Sequence, residues 1–422
     1  MLAFVTKETR LMRRLISGLL ALGVVCLFAG TGRGQGQDYE VPQSYAPTGS
    51  SFWGILPGPL GHPRYEDGGF FAAIEFVYFQ QSNPIERQTV AVRGFVDTDG
   101  TAVPTGQGPE TPGTFHGSGI QALNTHQLDR TSESFSPGFN LVGGYRFQNG
   151  WVLQVAWMNI LETRYTASAS LIPPTYNVGP QLADTFLFSP VSNFSPAYAG
   201  ANNRTGNGNT GAVFGIWNGA SDETIELVQR FYQVDMTLRI PVWQTECHRQ
   251  YALFGPRFVG IWERFTWRTV STDVTGAASS DDTANYTNTV SNMLWGVHVG
   301  GGHDWWLGAT PIGGFSVTLD GEVGLYADFV KMRAKYELGD RSTAATHNRN
   351  QINAVPEAQG KLSVWYYPWE AVQIRLGYDV MAFFNTISSP QPIDFNFGTI
   401  SPKYESTGRL FNGLSFGVGF TF

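Results

Sequence analysis

The chain has 422 residues, of which only 14% are charged and 14% aromatic, with 50 glycines, whereas about a quarter of an ordinary soluble domain is charged. A hydrophobic share of 42% excludes disorder, no segment after the N-terminus offers the roughly 18–20 apolar residues of a membrane helix, and the glycines keep no collagen period. With 27 Lys and Arg against 34 Asp and Glu the chain is mildly acidic, and it has no basic stripe of the kind that binds nucleic acid.

Residues 1–34 read as a signal peptide. Lys7, Arg10, Arg13 and Arg14 precede an apolar run over 15–29, which ends in Gly30-Thr31-Gly32-Arg33-Gly34, the order that export requires. Met12 heads the compact core of this segment and is an alternative start. Cys26 lies inside the apolar run behind Val25, a poor context for lipid attachment. Cleavage removes five basic residues and one acid, so the exported chain is more acidic, and Cys247 remains as its sole cysteine. That excludes an internal disulfide and a cysteine-based zinc site. Residues 35–67 are rich in Pro and Gly and form an N-terminal periplasmic segment ahead of the folded part, residues 68–422.

From Gly68 onward the pattern is alternation. Phe70, Ala72, Ile74, Phe76 and Tyr78 stand opposite Glu75. Phe139, Leu141, Tyr145 and Phe147, then Trp151, Leu153, Val155 and Trp157, flank Asn149-Gly150 in a hairpin whose other face carries Asn140, Arg146 and Gln154. Residues 223–241 set Tyr232, Val234, Met236, Leu238 and Ile240 against Asp235 and Arg239, and 250–268 set Phe254, Phe258 and Trp262 against Arg257 and Glu263. Residues 289–305 oppose Trp295, Val297 and Val299 to His298, and 312–335 oppose Val317, Leu319, Val323 and Leu325 to Asp320 and Glu322. The pair 351–367 and 371–387 places Leu362, Val364, Ile374, Leu376 and Tyr378 across from Glu357, Lys361, Arg375 and Asp379, and 408–422 ends the series. About ten strands result. Residues 88–96, in a further hairpin, would raise the count to twelve.

The apolar faces hold too many large aromatics to be cores of a sandwich, while the opposite faces mix glycine with isolated charges. Apolar outside and polar within is the pattern of a transmembrane antiparallel β-barrel. Connections alternate accordingly: 81–135 long, 148–150 short, 169–222 long, 242–249 short, 269–288 long, 306–311 short, 336–350 medium, 368–370 short and 388–407 medium. Short periplasmic turns and long external loops, with both termini on the periplasmic side, follow from an even strand count. Trp151, Trp243, Tyr251, Trp305, Trp306, Tyr366, Tyr367, Trp369, Phe420 and Phe422 lie near the short turns as one interfacial girdle. Trp157 belongs to the girdles too, and Tyr78, Tyr165, Tyr232, Trp262, Tyr326 and Phe384 lie toward the other interface.

The ending Gly-Leu-Ser-Phe-Gly-Val-Gly-Phe-Thr-Phe resembles the terminal strand of bacterial outer-membrane proteins, which implies that Phe416, Phe420 and Phe422 form an assembly signal read by the barrel assembly machinery. The stretches Asn292-Met-Leu-Trp-Gly-Val-His-Val-Gly, Pro356-Glu-Ala-Gln-Gly-Lys-Leu-Ser-Val-Trp-Tyr-Tyr and Val372-Gln-Ile-Arg-Leu-Gly-Tyr-Asp-Val resemble a porin-like outer-membrane barrel family. Such barrels occur in planctomycetes and among the major outer-membrane proteins of other bacteria. The likeness covers roughly residues 225–422 and, more weakly, 68–160. It implies an outer-membrane location and a pore, and supplies no catalytic residue.

Parity places Glu75, Arg146, Glu162, Arg164, Asp235, Arg239, Arg257, Glu263, Asp320, Glu322, Glu357, Lys361, Arg375 and Asp379 inside as a lining of nearly balanced charge. These groups suit a small passive pore for solutes, or salt bridges closing a narrow barrel that is structural or adhesive and binds surface ligands through its external loops. Barrels of about eight strands are filled by their own side chains, whereas open porins have about sixteen. The acidic chain tilts a pore toward cations. Outer-membrane lipid is the expected surround. An enzyme is not expected: His303 and Asp304 are adjacent on a strand and point to opposite faces, and His116, His126 and Asp129 sit in a long loop. Cys247-His248 offers too few ligands for a metal, and Gly300-Gly301-Gly302 precedes no helix that would cradle phosphate, so no cofactor is expected.

Overall fold

The structure is a computed structural model that describes residues 69–82, 85, 87–97, 114–128, 135–170, 182–193, 203–204, 213–214, 216–217, 220–245, 247–271, 282–310, 312–369, 371–390 and 393–422. The signal peptide, the 35–67 segment and Asp129 lie outside the described residues. The strands are β1 (Gly69–Ser82), β2 (Thr89–Asp97), β3 (Thr114–Asn124), β4 (Phe135–Arg146), β5 (Val152–Ser170), β6 (Leu182–Phe188), β7 (Asn203–Arg204), β8 (Val213–Phe214), β9 (Asp222–Gln244), β10 (His248–Val270), β11 (Thr283–Thr310), β12 (Gly313–Leu338), β13 (Thr343–Trp369), β14 (Val372–Ile387) and β15 (Ser406–Thr421).

Ten of them close a barrel in the order β1-β15-β14-β13-β12-β11-β10-β9-β5-β4. Every described pairing in the wall is antiparallel, and β1 closes the ring by pairing with both β4 and β15. The Asn-Gly hairpin forms as its residues dictate: Gly150 takes φ 83°, which a side chain disfavours, and its N–H donates to the Phe147 carbonyl at 3.0 Å. Residues 88–96 do form a strand, but not a wall strand. As β2 they pair with β3 and β6 in a separate three-stranded sheet, so the wall count stays at ten.

The wall strands are longer than a membrane requires. A bilayer-spanning strand needs about 9–11 residues, whereas β9 to β13 have 23 to 28. β12 shows why. From the short-turn end its outward side chains are Phe315, Val317, Leu319, Val323, Leu325 and Phe329, while Ser316, Thr318, Asp320 and Glu322 are buried inside. Beyond Phe329 the faces exchange character without a change of parity: Lys331, Arg333 and Lys335 face out, and Val330, Met332, Ala334, Tyr336 and Leu338 face in. The first half is solvated by lipid and the second by water, so one strand carries a membrane pattern followed by a soluble one.

This extension shortens two expected loops, 336–350 and 269–288. Residues 336–350 contain only a tight turn at 339–342, where Arg341 has φ 69° and its N–H donates to the Leu338 carbonyl at 2.9 Å. Residues 283–288 already belong to β11. Their Thr and Asn content looks loop-like because their outer face meets water and only alternate residues are apolar.

Candidate functional site

The interior is built in layers. At the short-turn mouth Phe71, Val142, Val152, Ala156, Trp365 and Tyr367 pack together, with Trp306 partly buried against them. Above them lies the charged layer. Arg257 on β10 is fully buried, reaching Glu322 at 2.5 Å, Glu357 at 3.1 Å and Gln359 at 2.8 Å. Lys361 lies 3.5 Å from Glu322. Arg375 on β14 donates to Glu75 at 2.7 Å, Asp379 at 3.2 Å and Ser363 at 2.9 Å, while Asn140 and Ser415 donate to Glu75 and Asp379. Arg239 approaches Asp320 at 3.4 Å, and the Tyr251 hydroxyl also donates to Asp320. Asp235 accepts from Thr237 and Gln233. Arg146 is buried as well. Between these groups remains a cavity of about 70 Å³, lined in part by Glu75, Asp235, Arg239, Lys361, Arg375 and Asp379, with room for a few waters and no more.

Over the charged layer nine of the ten wall strands send in thirteen apolar side chains, among them Phe79, Phe231, Ile261, Leu294, Met381, Phe383 and Phe411. A second polar tier follows. Glu263 is fully buried, pairs with Arg409, and accepts from Gln229 at 2.8 Å and from the Ser389 N–H at 3.0 Å. Arg409 also donates to the Ile387 carbonyl at 2.7 Å, which pins residues 387–389 across the lumen. The outer end is capped by apolar packing: Trp217, Val90, Leu123, Leu128, Leu187 and Phe397 from the long connections meet Phe265, Trp267, Tyr286 and Tyr336 of the wall.

Of the fourteen charged residues that parity assigns to the lining, twelve are on the inner face and two, Glu162 and Arg164, are not. A bulge in β5 between Ile160 and Thr163 shifts the parity, and both side chains lie outside, bonded to Arg230 and Glu226. Several expected girdle residues also turn inward. Trp306 sits beside a register shift in β11 and packs on Tyr367, while Tyr251, Tyr326 and Tyr367 are buried because their parity is that of the polar face. Tyr165 packs against the outer core. Trp151, Trp157, Trp243, Trp305 and Trp369 are exposed on the barrel surface, as are Phe416, Phe420 and Phe422. Trp262 is half-buried beneath two arginines.

Parity also marks out inward ionisable residues beyond the predicted lining, among them Glu223, Arg249, His298, Asp304, Asp328 and Arg409. Arg249 pairs with Asp304 at 2.7 Å, and Thr318 donates to Asp304. His303 instead faces out, 3.1 Å from His248, so His303 and Asp304 do not converge on one atom. His126 is exposed on a single 3-10 turn, and Cys247 is exposed in a short turn. Among the described residues no group of three or more potential metal ligands occurs.

The family described as the Legionella pneumophila major outer membrane protein precursor matches residues 70–421, the whole length of the wall. The chain belongs to this family. Its outer-membrane location follows from that membership and from the closed barrel with its apolar surface belt. No curated protein matches the chain. Among solved structures, it is similar to the outer membrane protease OmpT from Escherichia coli, at 7% identity over 85% of this chain and 97% of that one, with a TM-score of 0.34. It is similar also to the Pseudomonas putida toluene transporter TodX, at 10% identity over 84% and 89% with a TM-score of 0.25. A Pseudomonas aeruginosa FadL homologue is 9% identical over 84% and 90%, with a TM-score of 0.21. In this member of the major outer membrane protein family inward side chains form polar and apolar layers along the lumen, with a cavity of about 70 Å³ in the charged layer.

Proposed function

We propose that the protein is a closed, non-enzymatic barrel that anchors a folded β-structured platform at the cell surface, where the connections 83–134 and 171–221 meet external partners. The observation that carries this is the layer of thirteen apolar side chains in mid-barrel. A hydrated ion does not cross a dry apolar constriction, because leaving water costs far more than such walls return. Ten strands also enclose little more than the eight that side chains fill.

A small passive pore is the second reading, and the charged layer with its cavity of about 70 Å³ favours it. Conduction would require the apolar layer and the outer cap to part. Planar-bilayer recording of the refolded protein, with closure verified by a heat-modifiable gel shift, separates the two. The closed barrel gives no current steps. Reproducible steps whose size changes in Glu357→Gln or Arg375→Gln would establish the pore instead.

A further inference from the structure

We infer that the outward-facing basic cluster around Trp262 is a binding site for the phosphorylated headgroup of an outer-leaflet lipid. Trp262 is the last aromatic of the apolar belt on β10, counted from the short-turn end, and the short turns mark the periplasmic side. The cluster therefore stands where outer-leaflet headgroups begin. The Arg230 guanidinium lies 4.8 Å from the centre of the Trp262 ring and that of Arg264 lies 5.6 Å from it, so two cations are held against one interfacial indole. Strand register brings further cations close by on the same outer face. Trp262 pairs with Ser291, which pairs with Lys331, and Arg264 pairs with Thr289, which pairs with Arg333.

Lys331 and Arg333 are exposed and make no ion pair among the described residues. With Arg164, five cations stand in this band against two carboxylates, Glu162 and Glu226, which engage Arg164 and Arg230. The surplus is positive on a chain whose formal charge is −7. Interior salt bridges explain the inward arginines, whereas Arg264, Lys331 and Arg333 have no carboxylate partner among the described residues. Guanidiniums fixed over an indole, directly above an apolar wall that seats acyl chains, complement an anionic phosphate tethered to a lipid. The site is independent of whether the lumen conducts.

The test uses the protein refolded into phosphatidylcholine vesicles containing either spin-labelled phosphatidic acid or spin-labelled phosphatidylcholine, with the motionally restricted lipid fraction read by electron paramagnetic resonance. Phosphatidic acid is expected to be favoured about fivefold or more, since a cation near the surface contributes about that factor. Arg230→Gln with Arg264→Gln is expected to remove most of the preference, while Arg264→Lys keeps part of it. Arg268→Gln, four residues farther along the same outward face, is expected to leave it intact, and the gel shift confirms that each variant closes. Equal restriction of both lipids overturns the proposal, as does a preference unchanged in the double variant or lost equally in Arg268→Gln. Abolition by millimolar inorganic phosphate also overturns it, by showing a free-anion site instead of a lipid site.

Discussion

Arg257 touches two buried carboxylates and an amide, so its replacement tests the charged layer at a single point. Arg257→Ala leaves Glu322 and Glu357 without their main cation and is expected to destabilise the barrel by about 3–5 kcal/mol, read as a lower urea midpoint of the heat-modifiable band. Gly302 has a quieter role in the same layer. A Cβ there would come within 2.4 Å of the Tyr251 hydroxyl and 2.2 Å of an Asp320 oxygen, so the missing side chain is what lets that hydrogen bond form inside the wall. Glu223 lies nine residues beyond Tyr232, well outside the membrane belt, and is buried in the outer core. There it accepts from Ser189 and Trp267, both at 2.8 Å. Burial pushes its carboxyl up to about 8, against a smaller downward pull from those two donors. The folded state thus keeps a proton that the unfolded chain releases near 4.5. Stability is full below 4.5 and falls by up to about 1.4 kcal/mol per pH unit as pH rises toward 8, then levels. In Glu223→Gln that slope is expected to flatten in urea titrations at pH 5 and pH 8.

Among the elements, the long connections are where packing overrode composition. Trp217 lies in the 171–221 connection yet is fully buried, donates to the Tyr336 hydroxyl at 3.1 Å and packs edge-on to Trp267 and Phe397. Trp217→Ala is expected to cost about 3–5 kcal/mol. Limited proteolysis should show cleavage in the 171–221 connection while the wall keeps its gel shift; cleavage no faster than in the parent would show that Trp217 does not hold the cap. The wall itself was legible in the sequence because lipid makes period two loud: Trp295, Val297 and Val299 against His298 admit one reading. The outer ends of β11 and β13, before residues 289 and 351, were not, since Asn285, Asn348 and Asn350 lie on the water-facing side and resemble loop. Glu162 and Arg164 were misassigned because a bulge leaves no mark in the sequence. The inward charges were readable one by one, but which carboxylate each arginine would take depends on strand register, and sequence parity carries no register.

For the molecule as a whole, the lumen alternates apolar and polar tiers instead of presenting one aqueous wall. Its charges satisfy one another within the lumen, as Arg375 of β14 does with Asp379 on its own strand and with Glu75 two strands away on β1. A barrel held this way is expected to stay silent in bilayer recordings even in Glu357→Gln, whose loss weakens one ion pair without widening the apolar tier. A second consequence comes from the extension of the wall past the belt. Some ten residues of β11 and β12 stand beyond Met293 and Phe329, and at about 3.3 Å per residue and a tilt near 40° they rise about 25 Å above the hydrocarbon. The barrel is therefore also a mast. Whatever meets its tip does so above the headgroup layer, on a stalk too stiff to fold back, so the reach of the surface platform is set by strand length and not by the flexibility of a linker.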